Sequence, residues 1–229
     1  MDNPAIVIID TETTGKVDPE PIEIAWVAVE DLNSLQVTQK FSSRFLPKKP
    51  ISFGAMATHH ILPSDLVGCP PPEEFQLPDS VKIIVGHNID YDWKAIGSPN
   101  VYRICTLAMA RTIWPDLDSH ALSALIYALS PNAENARKAL QSAHSALADV
   151  LFTKYVLSRI LKEHPVSSWR ELWQFSEQCR IPRAMPFGKH RGTPISDLAP
   201  DYVRWALANL QELDLYLMQA LQQRLEGAA

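Results

Sequence analysis

Apolar and β-branched residues organise the first half of this chain. Residues 7–10 form a continuous apolar run ending on an acid, which predicts a central strand. Residues 21–31, PIEIAWVAVED, alternate apolar and polar at their start and predict a second strand. Residues 36–47 alternate as well and should pair with it as a meander. A short helix is expected in SFGAMATHHI, then loop and a helix fragment broken by prolines in PSDLVGCPPPEEFQLPD. VKIIVGHN returns to the buried-strand pattern, and DYDWKAI begins a helix with Asn88 or Asp90 available as its cap. VYRICTLAMARTIWP predicts a short strand leading into a helix ended by Pro115. SHALSALIYALS predicts a helix with Ser119 at its N-cap, and the polar SPNAENARKALQ is expected to be the mobile segment of this half. Residues 145–163 carry apolar side chains at helical spacing and predict a long amphipathic helix.

Three meandering strands followed by alternating strands and helices give a mixed sheet flanked by helices, an α/β layered domain. His164 and Pro165 end the long helix, and the composition shifts there. Two helical patterns surround a different motif, MPFGKHRGTPISDL, in the remaining residues. The boundary is expected within residues 164–182, with a main domain at 1–164 and a small α-rich one at 165–229.

Bulk properties narrow the function classes. The 229 residues suffice for one main domain with an appendage, and 46% hydrophobic with 21% charged residues is globular composition. The N-terminus lacks the pattern of a secretory signal, and no apolar run approaches the roughly 20 residues that span a bilayer. Three widely spaced cysteines give neither a disulfide framework nor a zinc site, so a cytoplasmic location is expected. A net charge of −5 argues against whole-surface binding of nucleic acid, but not against an acidic site neutralised by divalent cations.

The chemistry begins where the first strand ends. Asp10 and Glu12 are two residues apart, so they point the same way from a strand. Like charges side by side raise each other's pKa unless something positive sits between them. A solvated polar turn would also expose such a pair harmlessly, and only the rest of the chain separates these readings. Asp90 and Asp92, in VGHNIDYDW, lie about 200° apart on a helix and cannot both face one point. His144 and Asp149, in AHSALADV, share a site only if His144 precedes the helix, with Ser145 as N-cap. Singly, these are ordinary cap, surface or helix residues. Their order, D-x-E, then H-N-x-x-Y-D, then H-x-x-x-x-D, is far more specific than any part.

In these motifs the sequence resembles the DEDD superfamily of 3′→5′ exonucleases, in the branch with a histidine in its third motif. The resemblance spans residues 5–160 and implies a ribonuclease H-like fold. AMATHHI is similar to the family's I-H-x-I segment and aligns His59. RICTLAMARTIWP and FGKHRGTPISDL resemble the exonuclease X group. The resemblance implies that Asp10, Glu12, Asp92 and Asp149 bind two Mg²⁺ ions, with Mn²⁺ as substitute; hard cations take such oxygen ligands. Asp10 would bridge them, Glu12 and Asp149 would lie on the nucleophile side, and Asp92 would support the second ion. His144 becomes the general base, suited by the ordinary histidine pKa of about 6.5.

The turn after the first strand would meet the 3′-terminal nucleotide. Backbone N–H groups of Thr13 and Thr14, with Gly15, would approach its 3′-OH; Lys16 and Val17 would touch the strand end. His59 would contact the same nucleotide, and Asn88 is either a further contact or only a helix cap. The implied reaction releases nucleoside 5′-monophosphates from DNA 3′ ends, in repair or proofreading. Two rivals stay open: an exoribonuclease, since only contacts to the 2′-OH separate the polymers, and a catalytically weak nucleic-acid-tethering module. Lys189, His190 and Arg191 in GKHRG face phosphates, solvent or a partner, and the sequence does not choose.

Overall fold

The computed structural model describes residues 6–210 and 213–227. Five strands form one sheet in the order β3-β2-β1-β4-β5, with β1 Ile6–Thr13, β2 Pro21–Val29, β3 Val37–Arg44, β4 Ile83–Gly86 and β5 Tyr102–Cys105. β1 pairs antiparallel with β2, and β2 antiparallel with β3; β4 joins β1 in parallel, and β5 joins β4 in parallel. The mixed sheet flanked by helices is the fold expected from the meander and its following α/β alternation.

Position in the sheet explains the composition of each strand. β2 is buried along its whole length and is apolar except for Glu23, while central β1 is apolar from Ile6 to Ile9 and turns polar from Asp10 to Thr13. β3 is an edge strand, and most of its VTQKFSSR faces water, with Val37, Phe41 and Ser43 half-buried. Val7 and Ile9 pack on one face with Ile24, Trp26, Ala28, Ile84 and Ile89. The opposite face continues Ile6 and Ile8 into Asp10 and Glu12, and over β1 and β2 packs the long helix of the chain.

The helices of the first part are α1 Phe53–His59, α2 Ile89–Ala95, α3 Thr106–Ile113, α4 Leu122–Leu129, α5 Ala133–Ala139 and α6 Ala146–Glu163. Two 3₁₀ turns, Pro63–Leu66 and Pro72–Glu74, stand where a proline-broken helix fragment was expected. One local expectation is corrected. Helix α4 starts at Leu122 with Ala121 at its N-cap, because the Ser119 hydroxyl accepts from Ala121 N–H at 3.3 Å, ahead of the helix. The polar segment expected to be mobile forms α5. Asn132 caps it, accepting from Glu134 and Asn135 N–H groups, and Glu134 and Lys138 complement its dipole. Only Ala136 in α5 is buried, so the helix leaves almost no hydrophobic pattern.

Contacts divide the chain into two compact units, Met1–Ser176 and Glu177–Ala229. The division falls inside α7, Trp169–Arg180, whose first turns belong to the first unit; Ser176 Oγ there accepts from the Cys105 N–H at 2.8 Å. The second unit adds α8 Pro200–Asn209 and α9 Leu215–Glu226, packed around Met185, Ile195, Leu198, Val203 and Leu221. The described residues after His164 thus hold three helices, where two helical patterns were read.

One glycine sets how closely the site's elements approach. At Gly86, where β4 ends, a Cβ would stand 2.6 Å from Ile89 Cδ1 and 3.2 Å from the Ile9 carbonyl oxygen. Gly86→Ala is expected to force α2 away from β1 at a cost of about 1–3 kcal/mol. Urea unfolding should show a lower midpoint with an unchanged slope; an unaltered midpoint would mean that this close packing is not constrained.

Candidate active site

The end of β1 delivers its acids into a site that three other elements complete. Asp10 and Glu12 leave the strand on one face, as the period of two requires. Asp149 comes from the first turns of α6, and one carboxylate oxygen from each of the three lies within 4.8 Å of the other two. Asp92 enters from the first turn of α2, 4% exposed. Its Oδ1 accepts twice from Thr11, from the backbone N–H at 3.0 Å and from the hydroxyl at 2.8 Å. Asp90, on the other side of α2, pairs with Arg103 at 2.5 Å instead, in accord with the helical angle between the two acids. His144 lies in the turn before α6, exposed, at φ +65°. Ser145 occupies the N-cap position, although its side chain makes no capping bond.

Electrostatics at this cluster are adverse without a cation. Burial pushes the Asp10 pKa well up, and the charges of Asp92, Asp149, Glu12 and Glu23 push it further. Burial, then Asp149, Glu23 and Asp92, raise Glu12 to about 8. Burial raises Asp92 to about 7 against the two Thr11 hydrogen bonds. Asp149 is raised by burial too, while His144 acts in the opposite direction. Four oxygen donors with this unmet negative charge fit hard divalent ions.

Three residues at the site were missed from the sequence. Glu23 sits opposite Glu12 in the β1–β2 register and is 8% exposed. Its Oε1 accepts from Arg44 Nε at 3.1 Å, and its Oε2 accepts from the Ala146 N–H at 2.9 Å. It therefore pins the first residue of α6, between His144 and Asp149, to the sheet. An acid inside the apolar PIEIAWVAV was the available signal. Tyr91 is the second; its hydroxyl bonds Thr13 Oγ1 and donates to the Gly15 carbonyl at 2.8 Å, clamping the turn after β1. The third is Phe53, 88% exposed at the start of α1, directly after Ser52, whose N–H donates to the Thr14 carbonyl. An aromatic ring bared to solvent has no signature in sequence.

The expected nucleotide contacts divide. Lys16 is exposed and Val17 is 90% exposed, so both border open space beside the site. Thr13 and Thr14 are buried. The Thr14 N–H is given to the Glu20 carbonyl at 2.9 Å. His59 is 6% exposed, and its Nδ1 accepts from the Ile61 N–H at 2.9 Å. Its Nε2 is buried without a hydrogen bond of standard geometry, and burial lowers its pKa against the pull of the Thr13 backbone. It supports the end of β1 from within. Asn88 takes the N-cap position of α2 at φ +74°, exposed and without a side-chain capping bond, so the cap reading fails for its side chain. Its neighbour His87 faces the Thr106 hydroxyl and the His120 carbonyl, and burial lowers it to about 4.

Residues 7–157 match the RNase_T family model, described as exonuclease. The chain belongs to the exonuclease family. It is a 3′→5′ exonuclease of the DEDD superfamily, a hydrolase, and the family is dependent on divalent metal ions. This exonuclease is 30% identical to exodeoxyribonuclease 10 of Escherichia coli K12 over 227 residues, 96% of this chain and 98% of that one. It is 31% identical to the DNA polymerase III subunit epsilon of Aquifex aeolicus over 171 residues, 69% of this chain and 80% of that one. Among solved structures, exonuclease X in complex with 5′ overhanging duplex DNA superposes with a TM-score of 0.59 at 26% identity. That match covers 75% of this chain and 99% of the other. No helix among the described residues is long and apolar enough to cross a membrane.

The raised acids set a pH dependence with a definite sign. Each binds its proton more tightly folded than unfolded, so its contribution to stability is present at low pH and lost as pH climbs through the folded pKa. For Asp92 and Glu12 that loss runs from the ordinary carboxylate range up to about 7 and about 8. In EDTA, Tm is expected to fall by on the order of 5 °C between about pH 5 and pH 8.5, and millimolar Mg²⁺ should remove most of the fall. Calorimetry at a series of pH values checks this; a Tm in EDTA that stays level would show that the acids are not burdened by one another.

Proposed function

We propose that this exonuclease is a two-metal-ion exodeoxyribonuclease that removes nucleoside 5′-monophosphates from DNA 3′ ends, acting in repair or proofreading in the cytoplasm. The observation that carries the reading is the convergence of Asp10, Glu12 and Asp149, with Asp92 beside them and an exposed histidine in the adjoining turn. The catalytic domain is assigned to residues 1–164, which lie within the first unit, and the smaller domain to residues 165–229, whose apolar core lies in the second. DNA is favoured as substrate by the relative named an exodeoxyribonuclease and by the exonuclease X structure that contains duplex DNA.

The four acids would hold two Mg²⁺ ions, or Mn²⁺ in their place. When bound, such ions supply positive charge that activates a water and stabilises the leaving oxygen in an in-line displacement at phosphorus. His144 takes a proton from the attacking water; its turn leaves the ring open to solvent, while Glu23 fixes the start of the helix behind it. Thr11 orients Asp92 through its paired hydrogen bonds. Tyr91 holds the turn of Thr13 and Gly15 in shape for the 3′-terminal sugar. Val17 and Phe53 offer exposed apolar surfaces to its base, Lys16 and Asn88 polar contacts to the strand.

A 5′-labelled single-stranded DNA oligomer, incubated with Mg²⁺ or with EDTA, tests the reading on a sequencing gel. A metal-dependent ladder shortening from the 3′ end is expected, and Asp10→Ala should abolish it. His144→Ala should lower kcat on the order of 10²–10⁴-fold and remove the acidic limb of the pH–rate profile. A ladder on RNA but not on DNA would assign an exoribonuclease, and silence on both would leave a tethering module.

A further inference from the structure

The second unit carries a surface that the reaction does not use. Between Met185 and Thr193 the chain turns back on itself, closed by the Met185 N–H to the Thr193 carbonyl at 3.0 Å and the Gly192 N–H to the Met185 carbonyl at 2.9 Å. The Arg191 N–H to the Gly188 carbonyl, 3.1 Å, tightens the tip. Gly188 and Gly192 take φ of +70° and +82°, which a side chain would strain. This braced loop presents Phe187, Lys189, His190 and Arg191.

Beside it stands the outer face of α8. The His190 ring lies 4.2 Å from that of Tyr202, Tyr202 stacks on Trp205 at 5.8 Å, and Lys189 Nζ sits 5.5 Å over the Tyr202 ring. Trp205 is 51% exposed and Phe187 is 44% exposed, while the buried core of this unit, which includes Val203 and Ala206 of the same helix as Trp205, is aliphatic. Lys189 and Arg191 are exposed and have no ion-pair partner among the described residues. The acids of this face are Asp201, which pairs with Arg204 at 2.6 Å, and Asp197 on the preceding turn.

We infer that this surface is a second binding platform, for single-stranded nucleic acid, in which Trp205 and Phe187 stack bases while Lys189 and Arg191 meet phosphates. Exposed aromatic faces interleaved with unpaired cations match what a single strand offers, a base and a phosphate at every step. On a chain of net charge −5, two uncompensated cations on one braced loop favour a polyanion over a neutral partner. The platform explains why a chain without overall positive charge can still retain its substrate. It builds on the proposed reading in one respect only: the strand bound here is the strand that the active site shortens.

The full chain is tested in EDTA, where no strand is consumed. Affinity for a fluorescein-labelled oligothymidylate of about 20 nucleotides is read by anisotropy at several salt concentrations, together with turnover of a thymidine 5′-monophosphate aryl ester in Mg²⁺. Trp205→Ala should weaken oligomer binding roughly tenfold. Lys189→Ala with Arg191→Ala should also lower the salt slope by about 1.4, at 0.7 per lost phosphate contact on a single strand. Neither variant should alter turnover of the small ester, which has no second nucleotide to offer the platform. The loop variant changes only exposed side chains and keeps the test valid if truncating Trp205 disturbs folding. Unaltered oligomer affinity and salt slope in both would overturn the platform and leave a protein-docking patch or bare surface. Loss of ester turnover in the unsubstituted chain would instead count against the proposed hydrolysis, so the two failures are distinguishable.

Discussion

Mutual repulsion among carboxylates is the constraint on which this structure turns. Asp10, Glu12, Asp92 and Asp149 come from three elements to one end of the central strand, with Glu23 beside them, and burial denies them water's screening. A fold gains nothing in stability from such crowding. Its persistence requires rigid elements that hold the acids in place: a strand paired on both edges, a helix tied to that strand through Thr11, and a second helix tied to the neighbouring strand through Glu23. The same arrangement that crowds the acids together prepares the cluster for cations, because the donors are already gathered and their reorganisation is small.

Much of this was legible in the residues. The buried strand, the D-x-E at its end, the expectation that only one of Asp90 and Asp92 could face the site, and the place of His144 ahead of α6 follow from side-chain periods of 2.0 and 3.6. What escaped the sequence is instructive in kind. Glu23 reads as the polar member of an alternating strand, yet the whole of β2 is buried, and its carboxylate is satisfied by Arg44 and by a backbone N–H 123 residues away. Tyr91 and Thr13 meet across 78 residues. Such pairings depend on tertiary placement, which local patterns do not encode. The helix α5 was missed for the opposite reason: its capping and charge placement are local, but it buries so little that hydrophobic periodicity is silent.

The two units divide the apolar chemistry in different ways. In the first, aromatic side chains such as Trp26, Phe41, Phe45 and Phe75 pack against one another beneath the sheet. In the second, Trp205 and Phe187 stay exposed beside cations while aliphatic residues fill the core. Aromatic residues at helical spacing read as core in sequence, and exposure is what separates the stacking surface from the packed one.

The central claim is that the clustered acids exist to share divalent cations. Isothermal titration of the full chain with Mn²⁺ at about pH 7, repeated in two buffers of different ionisation enthalpy, measures it directly. The account predicts two ions bound per chain and a net release of protons, because Glu12 and Asp92, raised to about 8 and about 7, must give theirs up to become ligands. Asp10→Asn should remove one of the clustered carboxylates and most of the binding. Absence of Mn²⁺ binding, or binding that this substitution leaves intact and that releases no protons, would contradict it.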